Sequence, residues 1–184
     1  MKNFKDIILE ENRKALSHIS SKNTKKFIAE IRKAKRIYIA GVGRSGLVAK
    51  AFGQRLMHLG FDVHLADEIT APGITKKDVL ITCSGTGSTY LTIYMAKKAF
   101  KIGARVLSIT ANPSSELTKY SDLVIEIPVK LENYKSSKGV KSSQPAHSLF
   151  EQAVFIYLDS CILHLMNMLG MKGKDIKIRH ANLE

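Results

Sequence analysis

The sequence predicts an α/β fold: a doubly wound, mainly parallel five-stranded sheet sandwiched between helices. Three observations carry the prediction. Short β-branched apolar runs recur along the chain, and helical periodicities fill the gaps between them. The runs are also apolar on both faces, as strands of a parallel sheet covered on each side must be. Strand–helix alternation of this kind reads as a doubly wound sandwich.

Taken in chain order, two amphipathic helices occupy about residues 3–34, where Phe4, Ile7, Leu16, Phe27 and Ile31 recur among charged positions. "RIYIA" (36–40) is the first strand and runs straight into "GVGRSG". Leu47, Ala51, Leu56 and Leu59 mark the helix that follows, and "FDVHLA" is a second strand. "DVLITCS" (78–84) is the third, followed by a helix carrying Leu91, Tyr94, Met95 and Ala99. "ARVLSITA" (104–111) and "DLVIEIP" (122–128) complete the sheet. Between those two, "ANPSSELTKY" predicts a short helix with Asn112 as N-cap and Pro113 at the first helical position, where its missing N–H costs nothing. A long helix covers about 148–169. The polar stretch "KLENYKSSKGVKSSQPAH" (130–147) has neither period. A loop of that length in a compact domain points to function or disorder.

Composition narrows the function classes. A chain of 184 residues fills one domain around a single core. The net charge of +13 favours anionic partners without choosing among them. The basic residues near the N-terminus are interleaved with apolar ones, as on solvated helix faces. The chain has no Trp, and no row of aromatics among the lysines to stack bases, which speaks against nucleic acid. No run approaches the length of a membrane span, and the N-terminus lacks a signal-peptide pattern. Cys83 and Cys161 are too few and too far apart for a disulfide framework or zinc motif, so a reducing cytoplasm is the expected setting.

The candidate site gathers from four stretches. "AGVGRSGLVAK" and "TCSGTGSTYLT" each join a strand to a helix, and in an open parallel sheet ligands bind beyond the carboxyl ends of the strands. Helix N-termini there offer unpaired amides and a partial positive charge suited to phosphate. Neither loop has the Gly-Lys-Ser/Thr of a P-loop, and no acid ends the second strand to hold a dinucleotide ribose. Ser84, Thr86, Ser88 and Thr89 put hydroxyls where a phosphate ester would sit; N-cap and turn duties would account for about half of them. In "SSQPAHSLFEQ", Glu151 lies three residues after Ser148. From that fragment alone it reads first as half of a capping box, and second as a proton-transfer base. The tail "IKIRHANLE" is by itself an ordinary basic chain end.

Together these stretches resemble the 6-phospho-3-hexuloisomerases, a branch of the sugar isomerase (SIS) domain family. "GVGRSG", "RLMHLGF", "DEITAP", "SGTGST", "ANPSS", "SSQPAHSLFEQ" and "RHANLE" carry the resemblance over nearly the whole chain. It implies conversion of D-arabino-hex-3-ulose 6-phosphate to fructose 6-phosphate, after fixation of formaldehyde on ribulose 5-phosphate. It also implies no metal or organic cofactor, and a homo-oligomer, typically a tetramer, with sites at subunit boundaries. The domain would span 1–184, with the N-terminal helices and the tail (171–184) in subunit contacts. Glu151 would be the base, best served by partial burial that raises its pKa towards neutrality. Arg44 would stabilise enediolate charge, and His180, supplied by a neighbouring chain, would pass protons among the oxygens. Gly43, Ser45, Ser84, Thr86, Ser88, Thr89 and Gln144 would bind the substrate and its phosphate.

Two departures stand out. Reading the family's Ser-Gly-Ser-Gly-x-Thr from Thr82 puts Gly87 in the place of the threonine, leaving Thr86 or Ser88 to supply its hydroxyl. Where the family has Gln-Pro-Met-Gly, this chain has Ala146 and His147. That imidazole either fills substrate space, adds a group titrating near neutral pH, or is an exposed loop histidine. The competing readings are a non-catalytic sugar-phosphate-binding module and a pentose or heptose phosphate isomerase.

Overall fold

A computed structural model describes residues 3–132, 139–180 and 182. The chain opens with α1 (Phe4–Ser17) and α2 (Ser21–Lys33), then alternates β1 (Ile37–Gly41), α3 (Gly43–His58), β2 (Val63–Leu65), β3 (Val79–Cys83), α4 (Tyr90–Ile102) and β4 (Arg105–Thr110). A 3-10 turn (Leu117–Tyr120), β5 (Leu123–Glu126), α5 (Ser148–Leu169) and a short α6 (Gly173–Lys177) follow. The predicted helix from Asn112 is corrected to this later 3-10 turn. Asn112 Oδ1 instead accepts the Ser114 N–H at 3.3 Å, closing a side-chain turn that competes with helix. Of the polar stretch 130–147, residues 133–138 lie outside those described.

All five strands are parallel, in the order β2-β1-β3-β4-β5, so the sheet is wholly rather than mainly parallel. Ile37, Ile39, Val79, Ile81, Leu107, Ile109 and Ile125 pack beneath α2, α3 and α5, with Phe27, Phe52, Leu56, Phe150 and Leu158 facing them. Tyr38, Leu80, Val106 and Leu117 form a smaller core with Ile93, Ala96 and Ala99 of α4. Both faces are therefore covered, which is why β3 is buried at every position and carries no polar alternation. α5 is the one described helix long and apolar enough by composition to cross a membrane, yet Leu149, Phe150, Val154, Leu158, Ile162 and Leu165 bury one side of it in this core.

The strand order fixes where a ligand can go. The chain leaves β1 for β2 on one side and returns to β3 on the other, so the β1 and β3 loops diverge above the sheet. A crevice opens at such a switch point. The two loops singled out by sequence, before α3 and before α4, border it.

Candidate active site

The loop after β1 is shaped by close approach. A Cβ on Gly46 would stand 2.5 Å from the Gly41 carbonyl oxygen, so the first turn of α3 can lie against β1 only with glycine there. This brings Gly43, Arg44 and Ser45 to the strand end, with Gly43 and Arg44 exposed and Ser45 half-buried. Gly43, Gly46, Leu47 and Lys50 line a cleft of about 370 Å³, closed on its far side by Asp67, Leu91, Thr92 and Met95. Lys50 Nζ bonds Asp67 Oδ2 across it at 3.0 Å. The Thr92 hydroxyl is buried there without a hydrogen-bond partner.

The loop after β3 folds on its own hydroxyls. Ser84 is 3% exposed. Its Oγ accepts the Gly87 N–H at 3.2 Å and lies 3.1 Å from Thr89 Oγ1. Thr86 Oγ1 accepts the Ser88 N–H and meets the Ser88 hydroxyl at 2.8 Å. Asn112 Nδ2 donates to the Thr86 carbonyl at 3.3 Å, and Thr110 Oγ1 donates to that of Gly85 at 3.1 Å, so the end of β4 and the residues just after it support the loop. Gly87 has φ 64°, and a Cβ there would fall 2.0 Å from Ser115 Oγ. Only glycine fits. From Ser84 the loop reads Ser-Gly-Thr-Gly-Ser-Thr, ending on Thr89 at the N-cap position of α4.

Glu151 stands beside this loop. Gly85 packs against the ring of Phe150, one residue before it. Burial and the Glu151 charge together push the Cys83 thiol, at the end of β3, up to about 12. The Glu151 carboxylate takes a hydrogen bond and ion pair from Arg44 Nε, joining α5 to the first turn of α3. The Glu151 side chain is 12% exposed and that of Arg44 70%, so the acid is enclosed while its partner is open to solvent. The capping box does not form. Ser148 is the first helical residue, His147 is the N-cap without a side-chain bond, and Glu151 is the fourth residue of the helix. Its amide reaches the His147 carbonyl at 3.3 Å, and its carboxylate faces Arg44 instead of the backbone.

The structure thus gathers Gly43, Arg44, Ser45, Ser84, Thr86, Ser88, Thr89 and Glu151 at the carboxyl ends of β1 and β3. Two further predicted residues have partners outside these loops. The Gln144 amide is engaged by Glu11 of α1, Nε2 to Oε2, at 2.9 Å. His180 stacks on His58 at the far end of α3, with ring centroids 5.1 Å apart. His58 is 14 positions beyond Arg44, about 21 Å along the helix. Within one chain the imidazole is therefore remote from Glu151. Sequence reasoning missed Lys50 and Thr92 of the cleft, and Glu11 and Asn12 of α1. Lys50, Thr92 and Asp67 had a signal, lying in the quoted "AGVGRSGLVAK", "TCSGTGSTYLT" and "DEITAP".

Known proteins place this arrangement. The chain is 38% identical over 177 residues to a 3-hexulose-6-phosphate isomerase of Bacillus subtilis, covering 96% of this chain and 95% of that one. It is 37% identical over 156 residues to one of Methanocaldococcus jannaschii, covering 85% and 81%. A crystal structure of a Methanococcus jannaschii protein, from which the same isomerase function was inferred, superposes with a TM-score of 0.85 at 32% identity over the full length of both chains. The SIS domain model matches residues 30–156, a span running from the end of α2 through both loops to the first turns of α5, and this chain belongs to the SIS domain family.

Proposed function

We propose that this protein is a 3-hexulose-6-phosphate isomerase, interconverting D-arabino-hex-3-ulose 6-phosphate and fructose 6-phosphate. The observation that carries the reading is the enclosed Glu151 carboxylate, opposed to Arg44 and set beside a hydroxyl-lined helix start. The names of full-length relatives support it.

The hydroxyls of Ser84, Thr86, Ser88 and Thr89, with the free amides of the first turn of α4, receive the phosphate, which suits the positive end of a helix. Holding that remote group restrains the reacting carbons near the base. Glu151 takes the proton from C2, and the electron pair left behind forms the C2–C3 double bond of a cis-enediolate. The C3 carbonyl becomes the enediolate oxygen, facing the guanidinium of Arg44. Electrostatic stabilisation at the point where charge develops is where such a group contributes most. Glu151 returns the proton to C3 while the C2 hydroxyl loses its own, leaving the carbonyl at C2. One carboxylate serves both carbon transfers.

Passage of protons between the oxygens falls to His180 of a neighbouring chain, because its own chain holds it at the opposite end of α3. This requires a homo-oligomer, a tetramer in our reading. Supporting it are the exposed apolar side chains Phe4, Leu9, Phe155 and Leu163, and an apolar groove of about 700 Å³ between α2 and α5. The test is a coupled assay for fructose 6-phosphate from ribulose 5-phosphate, formaldehyde and a purified hexulose-phosphate synthase. Product above the synthase-only control is expected. Its absence would remove the isomerase reading and favour a binding module, which needs neither Glu151 nor Arg44.

A further inference from the structure

Glu151 sits in a helical turn without a local cap. His147 gives the start of α5 no side-chain hydrogen bond. Ala146, just before it, has φ 51°, a left-handed conformation unfavourable for a residue with a Cβ. First turns without caps fray. A general base, by contrast, must be held to within about 0.5 Å of its working position. Something distant in sequence has to supply that order.

Helix α1 does so at two consecutive residues. The Glu11 carboxylate accepts four hydrogen bonds from the segment entering α5. They come from Ser142 Oγ at 2.7 Å, Ser143 N and Oγ at 2.9 Å each, and Gln144 Nε2 at 2.9 Å. Burial opposes ionisation of Glu11, but those donors outweigh it and hold the carboxyl down at about 2. Asn12, 4% exposed, uses its Nδ2 twice. It donates to the Ile8 carbonyl at 2.9 Å and to Gln152 Oε1 at 2.8 Å. Neighbouring helix positions point about 100° apart, so Gln152 reaches α1 while Glu151 reaches α3. The first turn of α5 is gripped from both sides.

We propose that α1 is a clasp that positions the base: Glu11 pins the loop leading into α5, Asn12 pins its first turn through Gln152, and Glu151 is thereby kept opposite Arg44. Neither α1 residue touches the site, so both are positioning residues, and their catalytic consequence rests on the isomerase reading above. A helix that only covered the core would have no need to direct a carboxylate at three successive residues more than 130 positions away. The clasp also offsets the unfavourable Ala146 turn, which lies between the pinned segment and the helix.

The test is Glu11→Gln in the full-length protein, read two ways. Amide hydrogen exchange of residues 148–152 should quicken about tenfold or more, with the centre of α5 unchanged, because local opening reports local support. The kcat should fall about tenfold at a KM within about twofold of wild type, the pattern of a misplaced base beside an intact phosphate site. Glu11→Asp, which keeps the charge, should recover part of both, and Ser142→Ala, which removes one donor, should show the same signs at smaller size if Glu11→Gln folds poorly. Unchanged exchange at 148–152, exchange raised uniformly through the protein, or unaltered kcat would each overturn the clasp. The exchange measurement uses no substrate, so a failure of the isomerase assay would leave it standing.

Discussion

Replacing Glu151 by Gln separates chemistry from architecture. In the folded chain Glu151 makes no capping box, and its carboxylate partner is Arg44, whose side chain is 70% exposed. An ion pair with so exposed a partner contributes at most about 1 kcal/mol, and a shift in melting temperature of no more than about 2–4 °C follows for a chain of this size. Gln has nearly the same shape and retains a hydrogen-bond acceptor for Arg44, so the first turn of α5 should persist. It cannot take a proton from carbon. A fall in rate of about a hundredfold or more is therefore expected, equivalent to about 2.7 kcal/mol of lost transition-state stabilisation. The direct assay is solvent deuterium incorporation into fructose 6-phosphate, supplied without the upstream enzyme. Exchange at near wild-type rate in a folded Glu151→Gln variant would refute the assignment and direct the search for the base to His147, the N-cap of the same helix, and His180.

Three further outcomes are expected. Ser84→Ala should raise KM by about tenfold with kcat little changed, since one bond to a charged group is worth about 1.5 kcal/mol and a remote phosphate is held alike in ground and transition states; an unchanged KM would reduce the loop to a turn. Deleting residues 179–184 should abolish activity while the cooperative melt survives, because a terminal segment, here one that stacks His180 on His58 and sends a long 3.5 Å bond from Arg179 to the His58 carbonyl, carries little of the core. Mixing the deletion with Glu151→Gln should restore turnover if tails cross between chains, and no rescue in verified mixed oligomers would place the tail in its own chain's site. Asp78→Asn should cost about 3 kcal/mol at pH 7, because it leaves the guanidinium of Arg36 without its buried partner. Burial raises the Asp78 pKa, but Arg36 and Thr75 outweigh it and hold the group below the usual carboxylate value. A depressed folded pKa gives stability that is complete above the unfolded value, about 3.9, and is lost as pH falls below it. Denaturant melts should therefore show the gap between Asp78→Asn and wild type narrowing below about pH 4; a constant gap would refute the linkage.

The sheet, its helical cover and the two loops at its carboxyl edge were legible in the sequence. Those signals are local. A β-branched apolar run makes a buried strand wherever it lies, and "GVGRSG" and "SGTGST" carry their turn chemistry in adjacent residues. The bounds of α5 were legible for the same reason, because an unbroken apolar period ends at Gly170, which takes the left-handed C-cap. The partner of Glu151 was not legible. Its spacing from Ser148 fits a cap, and only the approach of α3 to α5 gives its carboxylate to Arg44, 107 residues away. The same holds for Gln144, whose amide bonds Glu11, and for His180, set on His58 at the end of α3 away from Glu151. Side-chain partners far apart in sequence leave no periodicity to read. They are decided when independently predictable elements pack, because packing alone selects which charged group faces which.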